Sequence, residues 1–293
     1  MMFRGTFTAL VTPFRDGAID EEALHRLINE QIEAGIEGIV PCGSTGESAT
    51  LSHDEHEQVI KLSIKQARGR IKVMAGTGSN NTREACNLTR AAADAGADAS
   101  LLISPYYNKP TQHGHVEHYK AIAAASDLPL IVYNIPGRTG INMTPETIAR
   151  LAEVPTIVGV KESSGSVDQW LRILQLCGPE FCMLSGDDAV TVPMMAIGGQ
   201  GVISVMANVV PARVKAMVDA ALAGDFHRAS KATYELLPLF QQIGVEVNPI
   251  PVKAMLAMVG KIRNELRLPL TPLSAEPERK LREVLRSQKL LAD

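Results

Sequence analysis

Aromatic residues are scarce in this chain. They make up 4% of 293 positions, with a single Trp. So sparse a supply argues against a base-stacking surface for single-stranded nucleic acid, and a formal charge of −3 leaves no basic footprint for a duplex. Cysteine is limited to Cys42, Cys86, Cys177 and Cys182, with no CxxC pair and no zinc-like spacing. That excludes a disulfide framework and fits a reducing compartment. No apolar run reaches the length of a membrane span. The opening stretch MMFRGTFTAL lacks an apolar core followed by a small-residue cleavage site, so a cytoplasmic location is expected. Blocks of like charge are also missing. So is a GxGxxG after the first strand, since GTGSNN at 76–81 follows a third strand and lacks the last glycine. A doubly wound dinucleotide fold is weakened accordingly.

What the chain does have is repetition. A short β-branched run, a polar loop, a helical pattern and a glycine recur. Strands are expected at 7–11, 38–42, 72–75, 99–103, 130–133, 157–161, 181–184 and 201–205. Helices between them start on local signals. Asp20 precedes two acids. Ser52 has Glu55 three residues on, as in a capping box. Thr82 reads as a third cap, and Thr144 precedes a proline at the first helical position. Eight such units predict an α/β fold, a closed (β/α)8 TIM barrel over residues 1–224. From 225 to 293 no strand interrupts three helical segments, at 226–243, 252–264 and 277–290. They read as a C-terminal helical appendage that covers one side of the barrel or forms a subunit contact.

In such a barrel the C-terminal ends of the strands surround one pocket. The stretch IVGVKESSG, residues 157–165, brings Lys161 there. Alone, a strand-end lysine reads as a solvated charge. The other strand ends change that reading. GSTGES (43–48) supplies Ser44 and Thr45, SPYYN (104–108) supplies Tyr106 and Tyr107, and YNIPGRTG (133–140) supplies Tyr133 and Arg138. SGDD follows strand seven, where Asp187 and Asp188 read as an N-cap and a loop charge. The set is rich in hydroxyls, with one amine and one guanidinium. It holds no carboxylate–histidine cluster, so neither a metal nor an organic cofactor is expected. An amine desolvated at an apolar strand end loses its proton more easily and can attack a carbonyl. The imine of a 2-oxo acid acidifies the neighbouring carbon, with Tyr133 the nearest group for proton transfer. The Gly43 and Gly46 backbone can approach a carboxylate, and Arg138 suits a second one. His53 and His56 share a helix face near Asn80, Glu84 and Tyr106, without a third metal ligand at suitable spacing.

Taken together, GSTGES, SPYYNKP, YNIPGRTG, IVGVKESSG and GVISV resemble the dihydrodipicolinate synthase family over essentially the whole chain. The resemblance implies that Lys161 forms a Schiff base with pyruvate and that the enamine attacks L-aspartate 4-semialdehyde, in lysine and diaminopimelate biosynthesis. It implies that Tyr133 moves the protons, in a relay with Ser44 and with Tyr107 from a neighbouring subunit. Thr45 and the Ile203 backbone would hold pyruvate, and Arg138 would anchor the semialdehyde carboxylate. Ser48, Ala49, His53, His56, Asn80, Glu84 and Tyr106 match the family's allosteric site for L-lysine, so feedback inhibition is expected. The implied assembly is a homotetramer, a dimer of dimers. One departure is Ser44, where threonine is the common choice. Serine keeps the hydroxyl and loses the methyl that restricts its rotamer. Serine there also occurs in sister aldolases such as N-acetylneuraminate lyase, whereas Arg138 favours the synthase.

Overall fold

The computed structural model describes residues 3–291. Strand β1 (Gly5–Ala9) is followed by a small antiparallel hairpin, β2 (Phe14–Arg15) and β3 (Ala18–Ile19), outside the barrel. Then come β4 (Gly38–Val40), β5 (Lys72–Gly76), β6 (Ala99–Ile103), β7 (Leu130–Asn134), β8 (Ile157–Glu162), β9 (Cys182–Ser185) and β10 (Gly201–Ser204). Apart from the hairpin, these strands are parallel and close into an eight-stranded barrel in the order β1, β10, β9, β8, β7, β6, β5, β4. The (β/α)8 barrel expected from the repeat is therefore the observed fold.

Parallel strands covered on both faces should read as continuous apolar runs. LIVYN of β7 is buried throughout, and IVGVKE of β8 is buried at all but Val158. Inward side chains, among them Phe7, Met74, Leu101, Ile131, Leu184 and Ile203, fill the barrel. Closure between β1 and β10 requires Gly201, because a Cβ there would lie 1.9 Å from the Gly5 carbonyl oxygen, at a φ of +152°.

Around the barrel run α1 (Glu21–Glu33), α2 (His53–Ala67), α3 (Thr82–Ala95), α4 (Gln112–Ala123), α5 (Pro136–Thr139), α6 (Pro145–Ala152), α7 (Val167–Cys177), α8 (Thr191–Ala196) and α9 (Pro211–Leu222). The caps follow the local chemistry. The Asp20 side chain accepts from the Ala23 N–H, and Ser52 with Glu55 forms the full capping box. Thr82 does not cap α3. Asn81 does, accepting from the Arg83 and Glu84 N–H groups, and Thr82 is the first helical residue, its hydroxyl 2.9 Å from His118 Nδ1. Asparagine is the stronger cap and stands one residue earlier. The hairpin and the short helices α5 and α8 have no counterpart in the sequence pattern, being too brief to show a period.

Helices α10 (Phe226–Ile243), α11 (Ile250–Met258) and α12 (Ala275–Ser287) follow. Helix α11 stops short of the expected 264 because Gly260, at φ +75°, turns the chain, and the Lys261 N–H closes onto the Leu256 carbonyl. Leu236, Leu239, Val252, Met255, Leu281 and Leu285 share one buried cluster with Leu24, Leu27, Val214 and Met217 of α1 and α9. Each such side chain contributes about 1.5–3 kcal/mol by leaving water, so the three helices are held to the barrel by a continuous core. Among the described residues no helix is long and apolar enough to cross a membrane.

Candidate active site

Strands β7 and β8 run in register with Tyr133 opposite Lys161 and Asn134 opposite Glu162. Alternation along a strand sends Tyr133 and Lys161 inward and the next pair outward. The outward pair is tied down. Buried Glu162 accepts from the Ser164 N–H at 2.6 Å, from Asn134 Nδ2 at 3.0 Å and from Gln169 Nε2 at 3.3 Å. This anchors the strand ends from behind and leaves Lys161 facing the cavity.

That cavity, of about 560 Å³, lies over the C-terminal mouth of the barrel and is lined by Ser44, Thr45, Tyr133, Arg138, Lys161 and Asp188, among others. Lys161 is 5% exposed, and its Nζ stands 4.2 Å from the centre of the Tyr133 ring. Burial lowers the amine from 10.5 to about 7; Arg138 acts in the same direction and Asp188 opposes. At neutral pH a large fraction of the amine is therefore an unprotonated nucleophile. Burial pushes the Tyr133 phenol up to about 12, with the Ser163 hydroxyl and the Arg138 charge opposing. The phenol therefore keeps its proton at neutral pH.

Thr45 Oγ1 accepts from Asn248 Nδ2 at 2.9 Å, and the Asn248 carbonyl accepts from Arg138 Nη2 at 2.8 Å. Asn248 joins the Thr45 hydroxyl to the Arg138 guanidinium. The acceptor bond leaves the Thr45 proton free to donate, and Arg138 keeps further N–H donors for a carboxylate.

Asp188 is not the exposed loop charge expected from SGDD. It is 4% exposed, accepts from the Ser204 hydroxyl, and takes the Val205 and Met206 N–H groups at 3.0 and 3.3 Å. Burial raises its carboxyl to about 6 despite these bonds. It fixes the end of β10 beside the amine. Two further contributors escaped sequence reading. Asn248 stands 203 residues from Thr45, with no motif to mark it. Gly186 packs so close that a Cβ would lie 2.9 Å from Lys161 Cε, and only its place in SGDD hinted at a role.

The Ile203 side chain packs inside the barrel, and its backbone stands near the end of β10, two residues before Val205, which lines the cavity. Tyr107 is 90% exposed, at a left-handed φ of +70°, and lines no cavity with Tyr133. A second chamber of about 300 Å³ shares Ser44, Tyr133 and Arg138 with the first and adds Ser48, Ala49 and Tyr106. His53 and Glu84 instead sit in an outer groove of about 380 Å³. There His53 Nε2 meets Glu84 at 2.7 Å, and the Ser79 hydroxyl donates to the same carboxylate, holding it below the usual range. Asn80 Nδ2 donates to the Tyr106 carbonyl at 3.2 Å. His56 is buried, and burial lowers its imidazole. The seven residues therefore form a band from chamber to groove, not one pocket. Among the described residues no three His, Cys, Asp or Glu side chains cluster as metal ligands.

With this geometry in hand, a family model described as the dihydrodipicolinate synthetase family matches residues 2–288. The 4-hydroxy-tetrahydrodipicolinate synthase of Oleidesulfovibrio alaskensis is 54% identical over 286 residues, 97% of this chain and 98% of that protein. The crystal structure of dihydrodipicolinate synthase from Aquifex aeolicus superposes with a TM-score of 0.97 at 50% identity, covering 98% and 99% of the two chains. Two further solved relatives carry ligands. The Acinetobacter baumannii synthase is complexed with pyruvate, at 45% identity over 98% of this chain and 99% of that one, TM-score 0.96. The Cyanidioschyzon merolae protein has lysine bound, at 40% identity over 99% of each chain, TM-score 0.96.

Proposed function

The chain belongs to the dihydrodipicolinate synthetase family, and we propose that it condenses pyruvate with L-aspartate 4-semialdehyde to 4-hydroxy-tetrahydrodipicolinate through a Schiff base on Lys161. The observation that carries this reading is the buried amine, lowered to about 7, in a cavity that also offers a phenol and a guanidinium.

The steps follow from the groups present. Neutral Lys161 Nζ attacks C2 of pyruvate, whose carboxylate meets the Thr45 hydroxyl and the neighbouring backbone N–H groups. Tyr133 gives its proton to the departing hydroxyl, and water leaves. The phenolate so formed takes a proton from C3 of the imine, and the enamine attacks the aldehyde carbon of the second substrate, whose oxygen takes that proton back from Tyr133 and becomes the hydroxyl. Arg138 holds that substrate's carboxylate. Its amino group then attacks C2, displaces Lys161 and closes the ring, so one water is lost overall.

Ser44 relays protons between Tyr133 and solvent, and Tyr107 completes the relay from a second copy of the chain. In support, Tyr107 is exposed in a backbone conformation rare for a bulky residue, and the second chamber opens onto both Ser44 and Tyr133. The assembly proposed is a homotetramer of two such dimers, in the cytoplasm, read out by sedimentation. Lysine is proposed as an inhibitor. Its ammonium would meet Glu84, and its carboxylate would meet Asn80 and Tyr106. A flat activity curve up to millimolar lysine argues against this.

The decisive experiment is borohydride reduction in the presence of pyruvate, followed by peptide mass mapping. A reduced pyruvyl adduct on Lys161, absent from Lys161→Ala, is expected. An unchanged protein mass overturns the proposal. Faster cleavage of N-acetylneuraminate than turnover of the semialdehyde would reverse the choice of substrate.

A further inference from the structure

The turn that carries Ser44 and Thr45 is braced from beneath by a charge that comes from the far end of the chain. Lys253 on α11 is wholly buried, and its Nζ meets Glu47 Oε1 at 2.5 Å, with side-chain exposures of 0% and 1%. The same ammonium donates to the Thr12 carbonyl at 2.9 Å and lies 4.3 Å from the centre of the Phe14 ring. The Thr12 hydroxyl in turn donates to the Gly46 carbonyl at 2.7 Å. Glu47 Oε2 accepts the Arg267 N–H at 3.1 Å, and Arg267 also grips Glu55 through two nitrogens at 2.7 and 2.5 Å.

Glu47 itself stands in the left-handed region, at φ +53°, where it ends the turn; its N–H reaches the Ser44 carbonyl at 3.2 Å. A bulky residue in that conformation persists only where its surroundings hold it. A buried charge pair contributes little net stability against an apolar replacement, so its retention calls for another account, such as fixing one geometry. Here the geometry fixed is that of the turn. Its other face is met by Asn248, two residues before α11, whose side chain donates to Thr45. Helix α11 and the segment just before it therefore reach the turn both from the cavity side and from beneath.

We propose that Lys253 and Glu47 are positioning residues for the turn at 43–47: the ion pair sets where Ser44 and Thr45 stand, and through them how tightly the 2-oxo acid is held before it reacts with Lys161. Neither residue lines the Lys161 cavity. This inference rests on the proposed function, and its test separates the two. Wild-type protein that yields no borohydride-trapped pyruvyl adduct refutes the reaction. An adduct in the wild type leaves the brace to be judged on variants.

Glu47→Asp keeps both charges and shortens the reach. Lys253→Arg keeps the cation in another shape, and Lys253→Met removes it. Adduct formation is followed against pyruvate concentration, and the KM for each substrate is measured separately, on protein whose thermal unfolding is cooperative. Glu47→Asp is expected to raise the pyruvate concentration for half-maximal adduct at least about fivefold while the KM for the semialdehyde changes less than about twofold. Lys253→Met is expected to shift the same parameter further, and Lys253→Arg to recover part of the loss. Pyruvate half-saturation within twofold of wild type in Glu47→Asp overturns the proposal, as does a proportional rise in both KM values. Loss of cooperative unfolding in Glu47→Asp also overturns it, by making the pair a determinant of the fold and not of the turn.

Discussion

Tyr133 and Lys161 are register partners on adjacent strands, and the amine stands over the phenol ring at 4.2 Å from its centre. A ring face favours the ammonium by about 0.5–2 kcal/mol. Burial acts against it and wins, since the amine is lowered to about 7. The ring therefore does two things at once. It walls the amine from water, and it brings into the same cavity the phenol that the proposed reaction uses as its proton donor.

Imine formation should follow the neutral amine. At a fixed, sub-saturating pyruvate concentration, the trapping rate is expected to rise about tenfold from pH 5 to 6 and to level off above about 7. Rapid quench into borohydride with mass readout checks it. A rate that is flat from pH 5 to 9 contradicts the lowered amine.

The same shift bears on stability. Between about 7 and 10.5 the unfolded chain holds a proton on Lys161 that the folded chain does not. Stability therefore rises with pH through that window, and the full penalty applies below it. Lys161→Met removes the penalty. The variant is expected to exceed wild type by about 2–4 kcal/mol near pH 6, with the gap closing towards pH 10. Denaturant unfolding at the two pH values measures this, and a less stable variant at pH 6 would contradict it.

Gly186 has room for no side chain. A Cβ would fall 1.9 Å from Ser163 Oγ and 2.9 Å from Lys161 Cε. The hydroxyl can rotate away, but the lysine must move. Gly186→Ala is expected to fold with a small change in midpoint and to lose about a hundredfold in kcat, the usual penalty for a misplacement near 1 Å. A folded variant within threefold of wild type would show that the amine tolerates displacement.

Asp188 opposes the lowering of Lys161. Asp188→Asn removes that charge, so the rising limb of the trapping profile should move to lower pH. The amide cannot accept from the Val205 and Met206 N–H groups and the Ser204 hydroxyl as a carboxylate does, and a loss of about 1–3 kcal/mol in stability is expected alongside. An unmoved profile would place the charge effect elsewhere.

Local chemistry made much of this site legible. A Lys at the end of an apolar run, hydroxyls in a glycine-flanked turn and an Arg after a proline are marked by composition over five to nine residues. The count of barrel strands followed from the repeat for the same reason, since each unit is a short run bounded by its own turn signals. Asp188 was misread because a loop acid and a buried acid look alike in sequence. Only the neighbouring strand end, with its hydroxyl and two N–H groups, tells them apart. Thr82 was misread because Asn81 competes for the same cap.

The chain alone determined that eight strand–helix units exist and that one of them ends in Lys161. Those are consequences of periodicity and of burial along a single strand. Tertiary structure decided the rest. Pairing of β7 with β8 in one register set Lys161 beside Tyr133. Packing of the last three helices brought Asn248 to Thr45 and Lys253 to Glu47 across more than 200 residues. Contacts that distant carry no local signature. They exist because a shared apolar core orders the elements that bear them, and burial then favours the arrangement in which polar groups such as Lys253 and Glu47 are paired.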